Sequence, residues 1–379
     1  MDLVAGRALT QERRPIRHLD PVLLSTTTAL SVIGLLLVYS ATRGSLAALG
    51  LDTGTFVKKQ AAFVALGAVL LLAVAAFDYR FYKVYAGFVY AVSVVALVLV
   101  RTPLGSSAQG AKRWFGFGGL QLTPSEFAKI ALILMLASVL SELRSPEPTL
   151  YDVIRVTAIA AVPMVLVFVQ PDIGTTIVLT AILGGVLVVA GTQLRHLIAL
   201  GLAASLLIFG AFQLGVVKDY QVARITAFLD REATPASLRY NLDQSLIAIG
   251  SGGLTGQGYL HGRLTNLDFV PEQHTDFIFT AAGEEFGFIG SMVLLGLFAM
   301  LLWRAIRIAY LSKDPFGTYV AAGVASMFAI QMFVNVGMVI GIMPITGIPL
   351  PFLSYGGSAT LANFVGVGLL LNIHMRRFK

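Results

Sequence analysis

The residues best equipped for chemistry lie between Phe269 and Gly290, in FVPEQHTDFIFTAAGEEFGFIG, where Glu272, His274 and Asp276 precede an apolar run that carries Glu284 and Glu285. Charge at the mouth of an apolar helix is costly, about 2.5–3.5 kcal/mol at the centre of a membrane span, so it is kept by a partner, a capping role or a function. A desolvated but paired carboxylate at Asp276 can hold a pKa suited to abstracting a proton. The competing role for Asp276 is N-cap of the following helix, with His274 and Thr275 as turn residues. Glu284, two helical turns further on, falls on nearly the same face as Asp276. Gly283, Gly287 and Gly290 offer a small-residue face for close helix packing.

Cationic chemistry is available at two places. Thr123-Pro124-Ser125-Glu126 leads into FAKIALILML, so Glu126 has the spacing of a capping box, and Lys129 lies one turn further into an apolar helix. A lysine there snorkels, pairs or gives up its proton, and Glu126 at i,i+3 is on the right face to pair with it. Upstream, Lys112-Arg113-Trp114 sits in a Gly-rich loop, either as an interfacial anchor or as a clamp for phosphate with the ring against lipid or sugar. Asp172 of Gln170-Pro171-Asp172 is placed to cap the next helix. Gly250, Gly252, Gly253, Gly256 and Gly258 form neither a Walker A nor a G-x-G-x-x-G pattern, which leaves two readings, phosphate binding through backbone N–H groups and close packing against membrane helices. With no cysteine in the chain, thiolate chemistry is excluded.

The elements that must position these groups follow from composition. Of 379 residues, 56% are hydrophobic and 12% charged, and mean hydropathy is +0.81, against about 25% charged in soluble domains. Apolar runs long enough to cross a hydrocarbon core recur throughout. The expected fold is an all-α integral membrane protein, a polytopic bundle of about ten transmembrane helices near 21–43, 57–77, 81–101, 123–142, 151–169, 173–191, 196–216, 276–303, 316–340 and 352–374. Two long extracytoplasmic loops, about 102–122 and 217–275, complete it, with a basic cytoplasmic tail at 1–20 ahead of a single membrane domain at 21–379. Pro344, Pro349 and Pro351 break the helix between the last two spans, which places irregular backbone within protein or against a cavity. The net charge of +7 is accounted for by orientation: Arg7, Arg13, Arg14, Arg17, Arg80, Lys83, Arg144, Arg155, Arg195, Arg304, Arg307, Lys313, Arg376, Arg377 and Lys379 all fall on one side. The positive-inside rule makes that side cytoplasmic, with both termini inside, and nucleic acid is not implied.

Taken in order, KRW with TPSEFAK, QPDIGT, QSLIAIGSGGLTGQG, PEQHTDFIF with GEEFGFIG, and GIPLPFLSYGGSA resemble the SEDS family of membrane peptidoglycan polymerases, over nearly the whole chain from about residue 20. The PEQHTDFIF and TGIPLPFLSYGG wording is closer to the elongation branch, RodA, than to the division branch, FtsW. The resemblance implies a glycosyltransferase of a bacterial cytoplasmic membrane that polymerises lipid II at the outer leaflet during cell elongation, with inversion and release of undecaprenyl pyrophosphate. It implies Asp276 as the catalytic base, and Lys129, Glu126, Lys112, Arg113, Trp114, His274, Gln244 and Ser245 as substrate-binding residues. No residue is assigned as a metal ligand; a divalent cation such as Mg is the one cofactor to be considered. The implied partners are lipid II, the bilayer and a class B penicillin-binding protein acting as transpeptidase. A lipid II flippase would need polar residues through the full bilayer depth, whereas a scaffold would tolerate loss of Asp276.

Overall fold

The structure, a computed structural model, describes residues 19–108, 111–117, 120–143, 147–213 and 236–377. Most of the basic tail, Arg144 and residues 214–235 of the second long loop fall outside them. Among the described residues, eight helices are long and apolar enough to cross a membrane: α1 (Pro21–Ala48), α2 (Thr55–Ala76), α3 (Tyr79–Leu99), α4 (Pro124–Ser141), α5 (Leu150–Val169), α10 (Ile278–Tyr310), α11 (Pro315–Val339) and α12 (Gly357–Arg376). Two shorter apolar helices, α6 (Ile173–Val189) and α7 (Leu194–Gln213), complete the expected set of ten.

Short polar residues start many of these helices by accepting bonds from otherwise unpaired first-turn N–H groups. Asp20, Asp78, Asp172 and Asp314 cap α1, α3, α6 and α11, and Thr149 with Asp152 forms a capping box on α5. Asp172 therefore takes the capping role expected of it. The bundle is concentric: α4, α11 and α12 are 72%, 72% and 83% buried by protein, while α3 is only 11% buried and presents its apolar face outward.

Three features depart from the sequence expectation. The Gly-rich loop around Lys112 is a three-stranded antiparallel sheet, β1 (Ser106–Ala108), β2 (Ala111–Phe117) and β3 (Leu120–Leu122), with Ser106 opposite Trp114 and Phe115 opposite Leu122. Alternation in AKRWFGF was the available signal, and the glycines masked it. The second long loop contains helix α8 (Ala236–Ser251) and the short α9 (Arg263–Asn266).

The third departure is in α10, which is broken at Gly287 (φ 66°, ψ −164°), a conformation essentially confined to glycine. The Gly-rich loop fills the break. Gln257 and Gly258 N–H donate to the Glu284 and Glu285 carbonyls (2.9 and 3.0 Å), and Phe288 and Ile289 N–H donate to the Gly253 and Leu254 carbonyls (2.9 and 3.0 Å). A Cβ on Gly256 would collide with the Glu285 carbonyl. Here the glycines serve close packing against a membrane helix.

Between α11 and α12 the proline-containing segment 341–356 has no helix, yet Ile348, Leu350, Phe352 and Leu353 are buried. Its backbone lies against α1, where a Cβ on Gly34 would meet the Phe352 carbonyl. Gln60 of α2 fastens its end, donating to Ser354 O at 3.3 Å and accepting from Gly356 N–H at 3.2 Å. Irregular backbone is enclosed by protein, as hydrocarbon requires. At the opposite end of the bundle, buried Asp20 binds Arg304 (Nε to Oδ2, 2.8 Å), tying α1 to α10, with His374 of α12 at 3.8 Å.

Candidate active site

The turn that carries Asp276 is fixed by its own backbone before any side chain acts. Thr275 and Asp276 N–H donate to the Glu272 carbonyl at 3.1 and 3.2 Å. Gln273, fully buried, donates to the Thr265 and Thr280 hydroxyls at 3.0 and 2.9 Å. The helix begins at Ile278 with Phe277 in the cap position, so Asp276 precedes the cap and does not serve as one. The N-cap position is therefore taken by Phe277 and not by Asp276, whose side chain is half-buried.

Two neighbours hold the turn from behind. Tyr355 N–H donates to the His274 carbonyl at 2.9 Å. Asn335 of α11, fully buried, donates one amide nitrogen to both the Asp276 carbonyl (2.8 Å) and the Ile348 carbonyl (2.7 Å). Asn335 thus joins the Asp276 turn to the 341–356 segment.

Lys129 does not snorkel. It is 1% exposed and its Nζ lies 2.7 Å from Glu126 Oε2, so the two form a buried ion pair within α4. The capping box expected of Glu126 is absent: Thr123 makes no side-chain cap bond, and its N–H donates instead to Ser358 Oγ at 2.9 Å. In a dry environment the carboxylate gains more from the ammonium than from a backbone N–H. Gln331 of α11, with its amide oriented to satisfy both ends, accepts from Lys129 Nζ at 3.0 Å. Gln331 and Asn335 are four residues apart on one helix face, about 6 Å along the axis. One face of α11 therefore serves both the Lys129–Glu126 pair and the Asp276 turn. Neither amide was singled out in the sequence, although two amides at i,i+4 inside AIQMFVNVGMV were a visible signal.

The remaining candidates separate. Lys112 is exposed on β2, and Trp114 is half-buried. Arg113 turns its guanidinium to protein, donating from Nε to Gln170 O at 2.9 Å and from Nη2 to Pro171 O. Arg113 thereby braces the α5–α6 corner, and Lys112 is the exposed cation of the strand. Ser245 is likewise committed, fully buried with its hydroxyl donating to Val339 O at 2.8 Å, and Gln244 beside it is half-buried.

The carboxylates below Asp276 are structural. Glu284 accepts from Leu264 N–H (2.8 Å), Thr265 N–H (3.0 Å) and the Thr265 hydroxyl (2.7 Å). Glu285 accepts from Leu260 N–H at 3.2 Å and from the Ser40 hydroxyl. Together they pin the α8–α9 loop to the broken helix. Burial pushes the His274 imidazole below its ordinary pKa, against the opposing pull of Glu272 and Asp268, so the ring is neutral near pH 7. Among the described residues no group of three or more His, Asp or Glu side chains is placed to hold a metal ion.

A half-buried carboxylate on a rigid turn, tied through one face of α11 to a buried lysine, suits removal of a proton from a bound hydroxyl while negative charge builds on a leaving group. Comparison with known proteins agrees in kind. The family model for cell cycle proteins of the FtsW, RodA and SpoVE type matches residues 21–379. The peptidoglycan glycosyltransferase MrdB of Escherichia coli is 38% identical over 362 residues, covering 95% of this chain and 94% of its own. A probable peptidoglycan glycosyltransferase FtsW of Trichlorobacter lovleyi is 38% identical over 372 residues, covering 95% of each. Among solved structures, a chain of a peptidoglycan synthase complex that coordinates polymerization and crosslinking superposes with a TM-score of 0.81 at 30% identity, covering 95% of this chain and 99% of that one. The rod shape determining protein RodA of Thermus thermophilus superposes with a TM-score of 0.70 at 28% identity, covering 95% and 98%.

Proposed function

Because the chain belongs to the SEDS family of FtsW, RodA and SpoVE and is a RodA-like peptidoglycan glycosyltransferase, we propose that Asp276 is its general base, acting on lipid II in cell elongation. Asp276 removes the proton from the 4-hydroxyl of the acceptor's N-acetylglucosamine as that oxygen attacks C1 of the donor sugar. The C1–oxygen bond to pyrophosphate breaks, the anomeric centre inverts, and the electron pair leaves with undecaprenyl pyrophosphate. Lys129, held in place by Glu126, stabilises the departing anion, and exposed Lys112 helps to gather the phosphates. The site faces the outer leaflet, and a class B penicillin-binding protein crosslinks the product.

The observation that carries this reading is the position of the half-buried Asp276, just ahead of the helix cap on a turn fixed by Gln273, Asn335 and Tyr355. The experiment is polymerisation of purified lipid II by the reconstituted protein with a class B penicillin-binding protein whose crosslinking is blocked. Asp276→Asn is expected to lower the rate by about 10²–10⁴ while still folding and binding its partner. Normal polymerisation by that variant would place the base elsewhere.

A further inference from the structure

Beside Asp276, rings from three separate stretches of chain meet. Phe56 comes from the first turn of α2, His274 from the turn before α10, and Tyr355 from the end of the 341–356 segment. Ring centroids are 5.0 Å apart for Phe56 and His274, 5.1 Å for Phe56 and Tyr355, and 5.6 Å for His274 and Tyr355. The planes are inclined at 58°, 79° and 51°, so the rings form a corner and not a stack. The corner is rigid, because Tyr355 N–H is bonded to the His274 carbonyl and Gln60 holds the adjoining backbone at Ser354 and Gly356.

Aromatic residues recruited only for packing are sealed, and a buried tyrosine or histidine finds a partner for its polar atoms. These three are half-buried. Among the described residues neither imidazole nitrogen of His274 nor the Tyr355 hydroxyl has a hydrogen-bond partner, and none of those atoms is closed off from solvent. An apolar corner edged by open polar atoms complements a pyranose ring, which offers C–H bonds on its faces and hydroxyl and amide groups at its rim. We propose that Phe56, His274 and Tyr355 form the wall that binds the pyranose ring of an N-acetylhexosamine of the substrate. This inference rests on the polymerase reading and extends it to Phe56 and Tyr355. His274 is two residues from Asp276, at most about 7 Å along the backbone, so the sugar on this wall is the one whose hydroxyl reaches the base. The neutral imidazole offers that sugar one donor and one acceptor.

The test separates sugar from lipid and binding from turnover. The full chain, with its transpeptidase in nanodiscs, is titrated with the soluble N-acetylglucosaminyl-N-acetylmuramyl disaccharide by ligand-observed NMR, and separately with undecaprenyl phosphate by displacement of a fluorescent carrier lipid. Phe56→Leu removes a ring but keeps apolar volume, whereas Tyr355→Phe keeps the ring and removes the hydroxyl. Phe56→Leu is expected to weaken disaccharide binding about five- to tenfold and to raise KM for lipid II in proportion, with kcat within about twofold and carrier-lipid binding unchanged. Tyr355→Phe is expected to show the same pattern at about two- to threefold. Unchanged disaccharide binding in both variants overturns the proposal, as does a parallel loss of carrier-lipid binding, which would assign the rings to the polyprenyl chain. A fall in Tm with loss of every binding activity in Phe56→Leu, beside a wild-type Tyr355→Phe, would reduce the rings to packing. Sugar binding is measured without turnover, so an error in assigning Asp276 as base leaves this result unaffected.

Discussion

The Lys129–Glu126 pair poses a question of scale at the single residue, because a buried ion pair can serve the fold, the reaction or both. Removing one partner of such a pair commonly costs about 3–5 kcal/mol, since it strands a charge, whereas replacing both with groups of similar shape is often neutral. We therefore expect Lys129→Met alone to lower both Tm and activity. The double variant Lys129→Met with Glu126→Gln is expected to recover the Tm while polymerisation stays at least about tenfold down, as loss of an electrostatic stabiliser predicts. Differential scanning fluorimetry beside lipid II turnover distinguishes the cases, and full recovery of activity in the double variant would show that Lys129 serves only the fold. The sequence made Lys129 conspicuous as a lysine inside an apolar run, and its pairing with Glu126 was legible from i,i+3 spacing. That Arg113 would turn inward to the Gln170 and Pro171 carbonyls was not legible, because those acceptors lie in a corner 57 and 58 positions away.

At the scale of the element, the informative unit is α10 with its loop. Hydropathy located the start of this span to within two residues and its end seven residues short of Tyr310, yet no periodicity rule marks a break at Gly287, because an apolar glycine-containing helix looks the same whole or interrupted. The break depends on the 253–258 loop, whose glycines the sequence left between phosphate binding and packing against a membrane helix that it did not identify. Gly287→Ala is expected to destabilise the protein by at least about 1–3 kcal/mol from backbone strain alone. The added Cβ would also press on the Thr255–Gly256 backbone. A lowered yield of folded protein and a lower Tm would be the readouts, and a wild-type Tm would show that α10 runs unbroken. The strands around Lys112 were likewise missed, since three strands of 3, 7 and 3 residues give alternation too little length to register.

Over the whole molecule, the ten spans and their order were plain in the sequence, because length and apolarity determine what can cross a bilayer. The concentric arrangement, with α4, α11 and α12 innermost, was less so. Most of the surface of every span is apolar, and lipid and protein ask nearly the same of a leucine. Orientation is open to a clean test, because the chain has no cysteine of its own and any introduced thiol is unique. Thr53→Cys, in the α1–α2 connection, is expected to react with a membrane-impermeant maleimide added to intact cells, and Lys313→Cys, between α10 and α11, only after permeabilisation. The reverse pattern would invert the proposed topology. The filled break in α10 also bears on how such a protein is made. Until the 253–258 loop folds back, the gap at Gly287 would leave the Glu284, Glu285, Phe288 and Ile289 backbone groups without partners in hydrocarbon, at several kcal/mol for each group. The nascent span is therefore expected to enter the bilayer as one continuous helix and to open only when the loop arrives. Hydrogen–deuterium exchange on a chain lacking residues 253–258 should find uninterrupted protection across Gly287, and exchange there as fast as in a loop would refute this order of events. Glycine is the residue that permits both states, one during biogenesis and the other in the finished protein.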